Sequence, residues 1–173
     1  MKQPEIYPTN LPGWARRSPA VAAMLNPALI AAILVTATEE YVRLRDESLP
    51  AAHAFLVPPL VLHRATREAL PRNVASHWPK WVADHPVLVA GFPARAVALR
   101  EYVREGLRFA LRYGALSIDP EGGLLPAHNP VAPRRPSAQG DLRQVIAASQ
   151  RVGRWLTKLD LPATAFALLG VRP

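Results

Sequence analysis

Cysteine is absent from the sequence. That absence removes thiolate nucleophiles, cysteine-ligated zinc and any disulfide framework, and it fits a reducing compartment. Long apolar runs are missing too. The longest, PALIAAILVTAT at 27–38, falls short of the ~20 residues that span a bilayer. The opening MKQPEIYPTNLPGW has no apolar stretch behind Lys2 and does not read as a signal peptide. Acidic side chains are outnumbered, 13 against 21 basic ones. There is no GxSxG, no P-loop and no GxGxxG. His53, His63, His77, His85 and His128 do not fall four apart on a shared helix, so a metal-binding pair is not expected. Glu39-Glu40 and Glu101/Glu105 are the close carboxylates, and the second pair is expected to meet Arg104 and Arg108 on a solvated helix face. These absences point to a cytoplasmic protein that is not an enzyme, needs no cofactor or metal and does not act at a membrane.

What is present is a core and a lopsided charge. Half of the 173 residues are apolar, enough for one domain with a substantial interior. Residues 1–25 read as an irregular arm and 26–173 as a single helical domain. Asn26-Pro27 is a strong helix start, since Asn caps free N–H groups and Pro loses no bond at the first position. The helix that follows, to about residue 46, lines up Leu29, Ile30, Ile33, Leu34, Ala37 and Tyr41. A second helix is expected from Pro58-Pro59, with Leu60, Leu62, His63 and Leu70 along it. Ser76 opens a short segment that carries Trp78 and Trp81.

From Pro86 to Tyr113 the pattern is helical, with a break near Gly91-Phe92-Pro93. RFALRYGALSIDPEGGLLP, 108–126, then runs from helix into a β-hairpin. The stretch 127–140, rich in Pro and Gly, is a flexible link by composition. Asp141 is expected to cap the last long helix, with Leu142, Val145, Ile146, Val152, Leu156 and Leu159 as its core stripe, and FALLGVRP to pack back on the domain or dock on a partner. The fold class is mainly α: a helical bundle with a winged-helix-like helix–β-hairpin element.

Arginine supplies 18 of the 21 basic residues, and the net charge is +8. The first 86 residues carry a balance of +2 and the remainder +6. A basic C-terminal half suits an anionic partner surface. Arg100, Arg104, Arg108 and Arg112 recur every fourth residue, a slowly turning row on one side of a helix, with Leu99, Val103, Leu107 and Ala110 facing the core beside it. Arg151, Arg154 and Lys158 repeat the pattern on the last long helix, and Arg134-Arg135 add charge on the link. Both rows could lie against DNA phosphates or against a partner's acidic groups. Trp155 beside them is either a stacking side chain or a packed one.

Four blocks, in order, resemble the middle component of three-component ABC systems. They are NPALIAAIL (26–34), LPAAHAFLVPPLVLHRATREALP (49–71), FPARAVALREYVREGLRFALRYGALSI (92–118) and RVGRWLTKLDLPATAFALLGVRP (151–173). The family shows an NPA-type helix start, an FLVLPLVLH-TRE-LP block and an LGVRP-like tail. This chain departs from it at Pro58, where Leu is common, and at Pro79, changes that bear on local helix shape. The resemblance implies a non-catalytic adaptor that couples an SMC/Rad50-like ABC ATPase to a variable effector protein in anti-phage or anti-plasmid defence, with the Lamassu-type layout and contact with the DNA backbone inside the complex. A stand-alone winged-helix DNA-binding regulator is the alternative that the hairpin and arginine row also fit.

Overall fold

The computed structural model describes residues 11–72, 77–127 and 139–172. Residues 1–10, Ser76, His128 and most of the 127–140 link, with Arg134-Arg135, lie outside the described residues. The expected irregular arm is structured where it is described. A 3-10 turn at Trp14–Arg16 leads into α1 (Pro19–Met24), capped by the Ser18 hydroxyl, which accepts from the Val21 N–H at 3.4 Å. Arg17 explains the difference. Its guanidinium makes two 2.8 Å bonds to the Glu105 carboxylate and lies 5.4 Å from the Trp14 ring and 5.7 Å from that of Tyr102. The Arg17 side chain is only 3% exposed, and its bond to Glu105 raises its pKa further. A partner so far away in sequence leaves no local periodicity to read.

Next comes α2 (Pro27–Arg45), which starts as expected: the Asn26 Oδ1 accepts from the Leu29 N–H at 2.6 Å and Pro27 holds the first position. It stops where Asp46 takes a left-handed conformation, φ 56°. Ile30, Ile33, Leu34 and Ala37 are fully buried and Tyr41 nearly so, while Leu29 is half-buried. The helical run 19–45 is long and apolar enough to cross a membrane by length and composition, more than the 27–38 stretch suggests. Here α2 is the central helix of the fold, covered by protein on its core side.

A two-residue strand, β1 (Leu49–Pro50), and a 3-10 turn at Ala51–Phe55 lead to α3 (Val57–Leu62) and α4 (Arg64–Ala69). The single helix expected here breaks at His63, whose Nδ1 accepts from the Thr66 N–H at 3.3 Å and so caps α4. Leu60 and Leu70 are buried, Leu62 and His63 half-buried. Buried Arg67 donates to the Val61 and Leu62 carbonyls at 2.9 and 3.4 Å, satisfying the end of α3. Then come α5 (Trp78–Asp84) and α6 (Pro86–Ala90), with Trp78 and Trp81 both buried.

Gly91 separates α6 from α7 (Phe92–Arg112) at the expected break. Phe92, Ala96, Val103, Gly106 and Ala110 form its buried face. Val103 and Ala110 lie where expected, but Leu99 and Leu107 are half-buried at its margin. Gly106 takes the central place because α7 runs antiparallel to α2 so closely that a Cβ there would overlap the Ile30 side chain.

The hairpin follows as β2 (Leu116–Ile118) and β3 (Gly123–Pro126), with Ile118 opposite Leu124. Asp119 Oδ1 accepts from the Gly123 N–H at 2.6 Å, and Gly122 supplies the φ of 85° that the turn requires. Two short segments far apart in sequence complete the sheet. Leu49 pairs with Leu124, giving the antiparallel order β1-β3-β2.

The last long helix, α8 (Gly140–Leu156), begins one residue before the expected cap. Gln139 is its cap residue, and Asp141 lies in the first turn, where the helix's free N–H groups still favour a carboxylate. Val145, Val152, Leu156 and Leu159 are buried as expected, with Leu142 and Ile146 half-buried. The closing α9 (Pro162–Leu168) folds back on the domain through Phe166 and Leu169. The protein is thus mainly α with a small antiparallel sheet.

Candidate interaction surface

The arginine row of α7 starts at its flank and ends on its outward side. Successive members, four residues apart, rotate by about 40° per step on a 3.6-residue turn. Arg100 and Arg104 are 55% and 47% exposed and share Glu101, at 3.3 and 2.7 Å. Glu105, expected to pair with Arg108, is instead held by Arg17. Arg108 and Arg112 are exposed, and no ion pair joins either to a described acid. Tyr113, half exposed, ends the row with its ring 4.5 Å from that of Phe109.

The second row behaves differently. Arg154 Nε lies 3.5 Å from Glu40 Oε2 on α2 and donates to the Gln150 carbonyl at 3.3 Å. Arg151 is half-buried; burial, then the neighbouring Arg154 and Arg72 cations, lowers its pKa. Lys158 is exposed. The fold therefore brings Arg100, Arg104, Arg108 and Arg112 onto one face and leaves Arg151, Arg154 and Lys158 on another, with α2 packed against both helices. Trp155 is a packed side chain, 1% exposed and stacked on Trp78 at 3.5 Å, where the Trp78 Nε1–H donates to its carbonyl at 3.1 Å. Trp81 meets it edge-on at 5.4 Å. An exposed stacking platform for bases is therefore not what Trp155 provides.

Two further features escaped the sequence. One is Gly153, where α8 runs parallel to α2 so closely that a Cβ would overlap the Ala37 carbonyl oxygen. The other is an apolar groove of about 680 Å³ along the side of α2 that α7 and α8 leave open. Among the described residues no cluster of three or more His, Asp and Glu is placed to hold a metal.

The architecture is that of a mainly helical protein built around one central helix, with a small sheet at the end of an exposed basic helix. Within that class, the chain belongs to the family described as ABC-three component (ABC-3C) system Middle Component 3, whose sequence profile matches residues 14–173. It is a middle component of such a system. No curated protein and no solved structure matches the chain.

Proposed function

We propose that this middle component is a non-catalytic adaptor in the cytoplasm, coupling an SMC/Rad50-like ABC ATPase to an effector protein in an anti-phage or anti-plasmid system. The observation that carries the reading, given the family, is the α7 row. Arg108 and Arg112 stand exposed with no described acid to neutralise them, next to a hairpin that β1 anchors to the body. In the order α2–β1, then α3 to α6, then α7–β2–β3, the closing of β1 on β3 supports a winged-helix-like arrangement in which α7 is the helix beside the wing. On this reading the row meets a phosphate backbone that the ATPase brings, or acidic groups of the ATPase itself, and the effector is held elsewhere on the body. Phosphate contacts position without reading sequence, which suits an adaptor better than a regulator.

Co-expression of the three components of one system tests it. The expected result is a complex that survives gel filtration, together with an isolated middle component that binds duplex DNA no tighter than the ~10⁻⁶ M end of non-specific affinity. Sequence-specific nanomolar binding by the isolated chain, with no complex formed, would replace the adaptor with a stand-alone regulator.

A further inference from the structure

The groove on α2 is built for an occupant. Its floor is the helix side carrying Ala28, Ala31, Ala32 and Val35, small residues at three- and four-residue spacing. Met24, Phe109, Pro126 and Leu142 wall it. From Ala28 to Glu39 the floor extends about 16 Å, three turns of helix. A floor of this kind lets a second helix axis approach to ~8 Å, the close end of the helix-packing range.

Three observations say what would lie there. Thr36 faces the groove at 1% exposure, and its Oγ1 has no hydrogen-bond partner among the described residues, unlike that of Thr38, which donates to the Leu34 carbonyl at 2.8 Å. A buried hydroxyl without a partner calls for one, and an occupant of the groove is placed to bring it. Among the described residues, the charged ones lining the groove, Glu39 and Asp141, are both acidic in a protein of net charge +8. The Asp141 side chain is 71% exposed and forms a long ion pair with Arg67, at 3.8 Å, which leaves most of the carboxylate open. Finally, the apolar surface does not end at the groove. Asn26, Ala28 and Phe109 also line an adjoining shallow hollow with Trp14, and Trp14 and Met24 are 52% and 51% exposed. Exposed Trp and Met over a continuous apolar strip favour a protein partner over a small ligand.

We propose that the groove on α2 docks an apolar helix of another component of the same system, a helix that brings a basic side chain to Asp141 and a hydrogen-bonding group to Thr36. This rests on the adaptor reading for the partner's identity. It assigns to α2 a contact separate from the arginine row of α7.

The absence of cysteine makes a direct test available. Ala32→Cys places the chain's only thiol in the groove, and Leu161→Cys places one on an exposed site elsewhere. Each full-length variant is assembled with the system's purified ATPase and effector, and the rate of maleimide modification is followed. The expected result is at least a tenfold slowing for Ala32→Cys on adding one of the two components, with Leu161→Cys unchanged. Ala32→Arg and Asp141→Lys, with folding checked by circular dichroism, should each weaken that component's binding at least tenfold, and Asp141→Asn less. A complex of undiminished affinity with the groove thiol still reactive overturns the docking site and leaves the adaptor standing. Protection already complete in the isolated dilute chain assigns the groove to the chain's own segments. Protection that rises with its own concentration assigns it to a second copy, and a small molecule retained in native mass spectrometry assigns it to a ligand; each of the three overturns the proposal. No complex with either component defeats the adaptor reading and this inference together.

Discussion

The two long helices that flank α2 meet it by the same device and with different consequences. Each brings a glycine to the contact, Gly106 on α7 and Gly153 on α8. Opposite Gly106 is the Ile30 side chain; opposite Gly153 is the Ala37 backbone carbonyl. A side chain can turn aside, whereas a carbonyl in the middle of a helix cannot. Each helix also carries a basic row. On α8, Arg154 is held by Glu40 and Arg151 is half-buried, so that only Lys158 beyond its end is exposed, whereas the row of α7 ends in exposed arginines. The difference is one of exposure: α8 keeps most of its row against α2, and α7 carries its charge in the open.

The largest expected effect breaks the α8 side. Gly153→Ala gains about 1 kcal/mol in helix propensity but forces two backbones apart, and it should destabilise by about 3 kcal/mol net. At this chain length that is a fall in Tm of roughly 6–12 °C, readable by differential scanning calorimetry. An unchanged Tm would mean that the helices do not approach as closely as described.

Next in size is a weak point under α7. The 3-10 turn at Ala51–Phe55 packs on α7 and buries His53, 1% exposed, with the Tyr41 and Phe166 rings each 6.4 Å away. Neither ring nitrogen makes a well-formed hydrogen bond among the described residues, and the Pro162 backbone offsets little of the cost of charging it. Burial lowers its pKa from 6.5 to about 4. The unfolded chain therefore takes up this proton first as pH falls. The stability from keeping His53 neutral is complete above pH 6.5 and is lost progressively down to about 4, for a total of about 3 kcal/mol. His53→Phe should flatten that part of the Tm–pH curve; an equal slope in both proteins would reject the assignment.

A smaller loss is expected on the α7 side. Gly106→Ala should cost about 1–2 kcal/mol, because Ile30 is fully buried but its side chain can shift. A cost equal to that of Gly153→Ala would erase the distinction between the two interfaces.

How much of this was legible depended on range. The Asn26-Pro27 start, the break at Gly91 and the hairpin turn at Asp119–Gly123 are local chemistry, and the sequence shows each within a few residues. The buried stripe of α2 follows from 3.6-residue periodicity. What was hidden depends on partners distant in the chain. Nothing near Arg17 announces Glu105, and two residues, Leu49-Pro50, are too few to read as a strand without β3 beside them. Gly106 and Gly153 look like weak points within helices until the neighbour that requires them is seen. Of the candidate site, the α7 row was legible as a row, because spacing alone sets it. Its ion pairing was not: Glu105 sits at the right spacing for Arg108 and bonds elsewhere. The groove could not be read either, since alanines on α2 fit a packed face as well as an open one.

The claim that the α7 row is the contact surface meets its most direct test in the assembled complex, through the salt dependence of DNA binding with Arg104→Gln/Arg108→Gln set against the unmodified chain. Both substitutions keep length and helix propensity, so Tm should stay within a degree or two. If the row faces phosphates, the log–log slope of affinity against salt should shrink by about two units, since each contact contributes roughly 0.9. An unchanged slope together with undiminished binding of the ATPase would contradict the account.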